Sequence, residues 1–142
     1  MSRLTCNVGE YGVIMNERGE LLILRLPLNE EFTTEMWMLP GGRLEAEDEP
    51  EEGLRREVKE ETGLDIDIVT PVHAARWGIE DPPKYTVFYL CRAVEEDTIH
   101  MSDEHAEARW VGSDSLADIH WLNDNFRTAV GKAARIARAL SS

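Results

Sequence analysis

Extended runs interleaved with two helical stretches predict an α+β fold for this chain of 142 residues. Three observations carry that prediction: a hairpin pattern near the N-terminus, a proline-led acidic helix closed by a glycine, and a C-terminal stretch with apolar residues at helical spacing. The length fits a single domain, residues 1–142, able to bury about two-thirds of the surface its unfolded form exposes. A hydrophobic fraction of 42% and a charged fraction of 30% are those of a folded globular protein rather than a disordered or membrane one.

Val8 to Met15 reads as a strand, Asn16-Glu17-Arg18-Gly19 as a turn, and Leu21 to Leu26 as the return strand. Pro27 to Glu35 is polar and irregular. It leads into Met36-Trp37-Met38-Leu39, a short apolar run expected to be a buried strand that stops at the loop Pro40-Gly41-Gly42. Pro50-Glu51-Glu52 then sets a proline in a first helical turn, with negative charge at the positive end of the macrodipole. That helix runs from about Pro50 to Thr62, with Gly63 where a left-handed cap is expected, and Leu54, Val58 and Glu61 share a face beside Glu57. Ile66 to Thr70 and Tyr85 to Arg92 have strand character, separated by Glu80-Asp81-Pro82-Pro83, and Arg109-Trp110-Val111 suggests another short strand. Phe126, Val130, Ala133, Ile136, Ala137 and Leu140 predict an amphipathic helix packed on the sheet.

Composition excludes several classes of function. A net charge of -13 argues against gripping polymeric nucleic acid, which needs clustered Lys and Arg to displace phosphate counterions. A small phosphorylated ligand stays compatible, because bound divalent cations reverse the local field. No apolar run approaches the ~20 residues of a membrane span, and the N-terminus lacks a basic segment followed by an apolar core, so a cytoplasmic protein with no membrane contact is expected. Cys6 and Cys91 have neither CxxC spacing nor the density of a disulfide scaffold and are read as reduced. His73, His100, His105 and His120 are scattered without ligand spacing, so zinc is not expected.

The informative segment is Leu39 to Leu64. Glu57, Glu60 and Glu61 stand at i, i+3 and i+4, so three carboxylates project from adjacent positions of one helix face. Like charges so placed cost an isolated helix a few tenths of a kcal/mol per pair. Arg56 reaches Glu52 and Glu60 at four-residue spacing, yet carboxylates outnumber nearby cations. A divalent cation is the missing partner, and hard oxygen donors point to Mg2+ or Mn2+. A plain solvated glutamate face is the alternative for the triplet taken alone.

From Gly42 the spacing is glycine, five residues, Asp48, seven residues, then Arg56-Glu57-Val58-Lys59-Glu60-Glu61-Thr62-Gly63-Leu64. This closely resembles the Nudix box, glycine-x5-glutamate-x7-Arg-Glu-apolar-x-Glu-Glu-x-Gly-apolar, and matches all of its fixed positions but one. Asp48 departs from the family glutamate, which shortens a carboxylate that in the family helps hold loop and helix together. Glu47 replaces a frequent glycine, which matters only if residue 47 needs a positive φ.

The resemblance implies the Nudix fold, a mixed β-sheet between helices in an α/β/α sandwich. It implies Glu57 and Glu61 as principal metal ligands, Glu60 binding directly or through water, and the Gly41 carbonyl as a further ligand. Arg56 would orient the glutamates, against the alternative of an ordinary helix salt bridge. The stretch Asp103 to Val111 looks like the family segment where a loop acid precedes a Trp-containing strand. Glu104 is the first choice for that ligand or base, and Glu107 the second. Glu57 and Glu104 remain alternative general bases.

For the substrate, Arg25 ends a strand where family members often carry a basic residue near the phosphate or base. Trp77 and Tyr85 are candidates to stack a nucleobase, against the plainer reading of core or rim. Asn123 and Asn125 resemble a place where some members read a base edge, and helix capping explains them equally well. Trp37 is read as packing. The implied reaction is Mg2+- or Mn2+-dependent hydrolysis of the pyrophosphate linkage of a nucleoside diphosphate derivative, first a nucleoside triphosphate. An ADP-ribose or nucleotide-sugar pyrophosphatase, or a nucleotide-binding sensor without turnover, are the rival readings. A homodimer is left open.

Overall fold

The computed structural model describes residues 2–95 and 99–141. Its spine is β1 (Asn7–Met15), which runs parallel to β6 (Lys84–Val94) from the pair Asn7 and Lys84 to the pair Met15 and Arg92. β2 (Leu21–Arg25) returns through the expected turn, whose tip is held by Asn16 Oδ1 accepting from the Arg18 and Glu20 amides at 3.0 and 2.8 Å. β2 pairs with β1 at Met15 and Leu21, while the other half of β1 takes β4 (Gly41–Arg43), with Glu10 opposite Gly42 and Tyr11 opposite Gly41. β3 (Trp37–Met38) and β7 (Glu107–Val111) both pair with β2, and β5 (Asp65–Trp77) closes the far side against β6. Among the described residues these strands make one mixed sheet, because only β1 and β6 run parallel.

Helix α1 (Pro50–Thr62) covers one face and α2 (Asp124–Ser141) the other. Strand periodicity divides the apolar side chains between them. Ile14, Leu22, Tyr89 and Cys91 pack with Leu54 and Val58 of α1. Val13, Leu21, Ile23, Phe88 and Leu90 pack with Phe126, Ala129, Val130 and Ala133 of α2. Each fully buried Leu, Val, Ile or Phe contributes roughly 1.5–3 kcal/mol relative to exposure, so both faces need their helix. The result is the sandwich expected from the resemblance. α1 begins with Pro50 in its first turn and ends at Gly63 with φ 78°, as its sequence requires.

Several boundaries differ from the expectation. The strand read as Ile66 to Thr70 runs on to Trp77, because β5 is the outer strand and two register shifts, between Ile68 and Thr70 and between Pro71 and His73, absorb the proline. The loop Pro40-Gly41-Gly42 becomes a strand from Gly41, and the buried run before it shortens to Trp37–Met38. β7 begins at Glu107 rather than Arg109, and a 3-10 turn at Ser113–Asp118 had no reading. Among the described residues no helix is long and apolar enough to cross a membrane.

Candidate active site

The side of α1 that meets β4 is where the box folds together. Gly41 has φ 153°, a backbone conformation L side chains rarely adopt, and a Cβ there would run into the Glu10 carbonyl. The bare strand lets the Gly41 amide donate to Glu61 Oε1 at 2.8 Å. A Cβ at Gly42 would lie 2.7 Å from Glu57 Oε2, so the second glycine leaves room for that carboxylate. Glu61 is only 4% exposed, whereas the Glu60 side chain is 63% exposed. Burial pushes the Glu61 carboxyl up to about 8 against the opposing Gly41 N–H, and Glu57, Glu104 and Glu60 add to the rise. Burial, then Glu60, also raises Glu57.

Asp48 does what the family's longer acid was expected to do. Arg56 donates to both of its carboxylate oxygens, at 2.7 and 2.9 Å, and the Glu45 amide donates to Oδ2 at 2.9 Å. These bonds hold Asp48 down to about 2 and pin the loop before α1 onto the helix. Arg56 itself lies 3.7 Å from Glu57 and 4.0 Å from Glu60, so it spans the loop and the glutamate row. Among the described residues the positive-φ positions outside glycine reduce to Glu95, so Glu47 carries no such strain.

Glu104 arrives from a segment without regular structure. His100 and Ser102 amides donate to the Thr62 and Glu61 carbonyls at 2.8 and 3.1 Å, and the Ala106 amide donates to the Arg25 carbonyl at 2.8 Å. The segment is thus tied to the end of α1 and to β2, and one donor atom each of Glu61, Glu104 and His105 lies within 4.8 Å of the others. Neighbouring carboxylates raise the proton affinity of Glu57 and Glu61, the mark of a donor set short of positive charge, and an oxygen-rich set fits Mg2+ or Mn2+. Glu107, the second choice, is instead paired with Arg25 at 3.3 Å and Arg109 at 2.8 Å. Arg109 also lies 4.8 Å over the Trp37 ring.

The substrate candidates scatter. Arg25 is engaged by Glu107 across the β2 and β7 pair. Trp77 stacks on Tyr11 on the α2 face, and Lys84 Nζ lies 4.2 Å over its ring, while Tyr85 falls on the opposite face by strand alternation. A base stacking on Trp77 would have to share the ring with Lys84. Asn125 Oδ1 accepts from His73 Nε2 at 3.2 Å, because Lys132 donates to Nδ1 at 3.0 Å, and its amide nitrogen donates to the Arg76 carbonyl at 3.4 Å. Asn123 Oδ1 accepts the Asn125 amide at the start of α2, which is the capping role.

Two residues of this region, Glu10 and Lys84, had no functional reading from the sequence, and a third, His105, was read as no ligand. Glu10 is buried on β1, hydrogen-bonded with Tyr89, with one oxygen lacking a partner. A lone acid inside an apolar strand was its available signal. Lys84 Nζ donates to the Tyr11 hydroxyl at 3.4 Å, and burial lowers its proton affinity. His105, set aside with the scattered histidines, is 7% exposed, and burial holds it below the ordinary histidine value while Glu104 pulls the other way.

Known proteins resemble this chain in sequence and in fold. The chain is 42% identical over 62 residues to a MutT-like protein of Streptomyces ambofaciens, a stretch that is 44% of this chain and 37% of that protein. It is 28% identical over 105 residues to an 8-oxo-dGTP diphosphatase of Haemophilus influenzae, covering 74% and 75% of the two. It spans well under half the length of most curated relatives it matches. The crystal structure of a MutT protein from Methanosarcina mazei Go1 superposes with a TM-score of 0.74 at 26% identity, over 97% of this chain and 99% of that one. The NUDIX domain family model matches residues 8–130, and the chain belongs to the Nudix family.

Proposed function

We propose that the chain is a Mg2+- or Mn2+-dependent Nudix pyrophosphohydrolase that cleaves the pyrophosphate linkage of a nucleoside diphosphate derivative, with a nucleoside triphosphate as its substrate. The observation that carries this reading is the gathering of Glu61 from α1 and Glu104 from the 99–106 segment, beside Glu57 and the Gly41–Gly42 strand. Glu57, Glu60, Glu61 and Glu104, with the Gly41 carbonyl, would hold the cation. Bound there, it would neutralise the pyrophosphate and lower the pKa of the attacking water. Glu57 or Glu104 accepts the proton from that water, and Arg56 keeps the glutamate row in place through Asp48. The likeness to an 8-oxo-dGTP diphosphatase supports the triphosphate.

Purified protein with Mg2+ or Mn2+ and a panel of nucleoside triphosphates, ADP-ribose, nucleotide sugars and dinucleoside polyphosphates tests the reading. The expected result is fastest release from a triphosphate, with the products showing which phosphorus is attacked. Glu57→Gln should lower kcat by about a hundredfold or more. Turnover unchanged by that variant, or no turnover of any nucleotide by the native chain, would overturn the reading.

A further inference from the structure

We propose that His105 supplies a nitrogen ligand to the divalent cation held by Glu61 and Glu104, so that the centre is a mixed nitrogen and oxygen site rather than an all-oxygen one. The inference rests on the metal-dependent reading above and adds to it a ligand that glutamate spacing does not reveal.

Two observations meet at this residue. The first is position: a ring nitrogen of His105 and carboxylate oxygens of Glu61 and Glu104 lie within 4.8 Å of one another. Ligands at about 2.1 Å from a common ion stand about 3.0 Å apart when adjacent and about 4.2 Å when opposite, so rotation of these side chains about their own bonds would draw the three atoms onto one ion. The second is an unmet bond: the imidazole is 93% buried, and Nδ1 is cut off from water with no hydrogen-bond partner among the described residues. Buried polar atoms are nearly always satisfied, and a buried imidazole with an unmet nitrogen, set beside two carboxylates, has a use for a cation. The framework is fixed from both ends, because the His100, Ser102 and Ala106 amides anchor the segment to α1 and β2. His105 therefore enters the cluster through a backbone that does not depend on its own side chain.

The chemical consequence is metal preference. Imidazole is a softer donor than carboxylate and favours later divalent ions over Mg2+. A centre containing His105 should prefer Mn2+ to Mg2+ more strongly than glutamates alone would.

The test uses the full chain and Mn2+ alone, without nucleotide. Electron spin-echo envelope modulation of the Mn2+-loaded protein should show nitrogen modulation of imidazole type. His105→Gln should abolish it and weaken Mn2+ binding in calorimetry about tenfold or more, with a smaller loss for Mg2+. The native spectrum needs no variant, so a His105→Gln protein that fails to fold does not block the test. Mn2+ bound by the native chain without nitrogen modulation overturns this inference and leaves the pyrophosphohydrolase reading standing. No Mn2+ binding at all overturns both.

Discussion

Glu10 sits where β1 passes beneath the start of α1, its Oε1 3.2 Å from the place a Cβ of Gly53 would occupy. Burial pushes its carboxyl up to about 7, against the Tyr89 hydroxyl that favours the charged form, and Asp48 adds to the rise. A folded value above the unfolded one means the proton is held more tightly in the native state. The stabilisation is therefore complete below about pH 4.5 and lost as pH rises through about 7. Glu10→Gln, neutral throughout, should gain on the native chain by about 2 kcal/mol between pH 5 and pH 8. Denaturant titrations of both proteins at the two pH values measure it, and an equal difference at each pH would show that Glu10 ionises freely in the fold. Cys91, pushed up to about 12 by burial, stays a thiol across that range and does not confuse the result.

At the scale of elements, the box works as a strand, a loop and a helix held in register. β4 presents two glycines to α1, the Asp48 and Arg56 pair ties the loop down, and Glu57 and Glu61 face the strand. Gly42→Ala inserts a Cβ 2.7 Å from Glu57 Oε2, and the carboxylate must swing away because its neighbour is strand backbone. Displacement of a catalytic group by about 1 Å costs on the order of a hundredfold in rate. Gly42→Ala should therefore lower kcat by about that factor while the melting temperature moves by only about 2 °C, which steady-state kinetics and a thermal scan check together. Retained kcat would show that Glu57 has room to spare. This part of the molecule was legible in the sequence because its signals are local: Pro50 starts the helix, Gly63 ends it, and the glutamates fall on one face by spacing alone. The far half of β5 was not, because Pro71 hides a strand held by long-range partners, its pairing with β6 and the contacts of His73 and Trp77 with α2 and β1.

Across the whole molecule, the two packed faces were implied by the family resemblance, and the pairs Val13 and Ile14, or Leu21 and Leu22, divide between them as strand geometry demands. What the sequence withheld is long-range. Nothing local says that His105 meets Glu61, that Glu107 turns to Arg25 and Arg109, or that Lys84 folds over Trp77. An apolar cavity of about 530 Å³ among Val13, Met15, Leu21, Val130 and Ala137 lies between α2 and the sheet, with Arg138 in its wall and none of the box glutamates. The acids proposed to hold a cation stand apart from it, at the α1 edge of the sheet.

The anchoring of the 99–106 segment has a consequence for dynamics. A coil normally exchanges its amide hydrogens with solvent within seconds, yet three here are spent on carbonyls of α1 and β2. Deuterium uptake should be slow at His100, Ser102 and Ala106, although the segment has no regular structure. Because main-chain atoms do the holding, proline at any of the three positions would remove a donor, and Ser102 adds a hydroxyl that accepts the Glu104 amide at 3.4 Å.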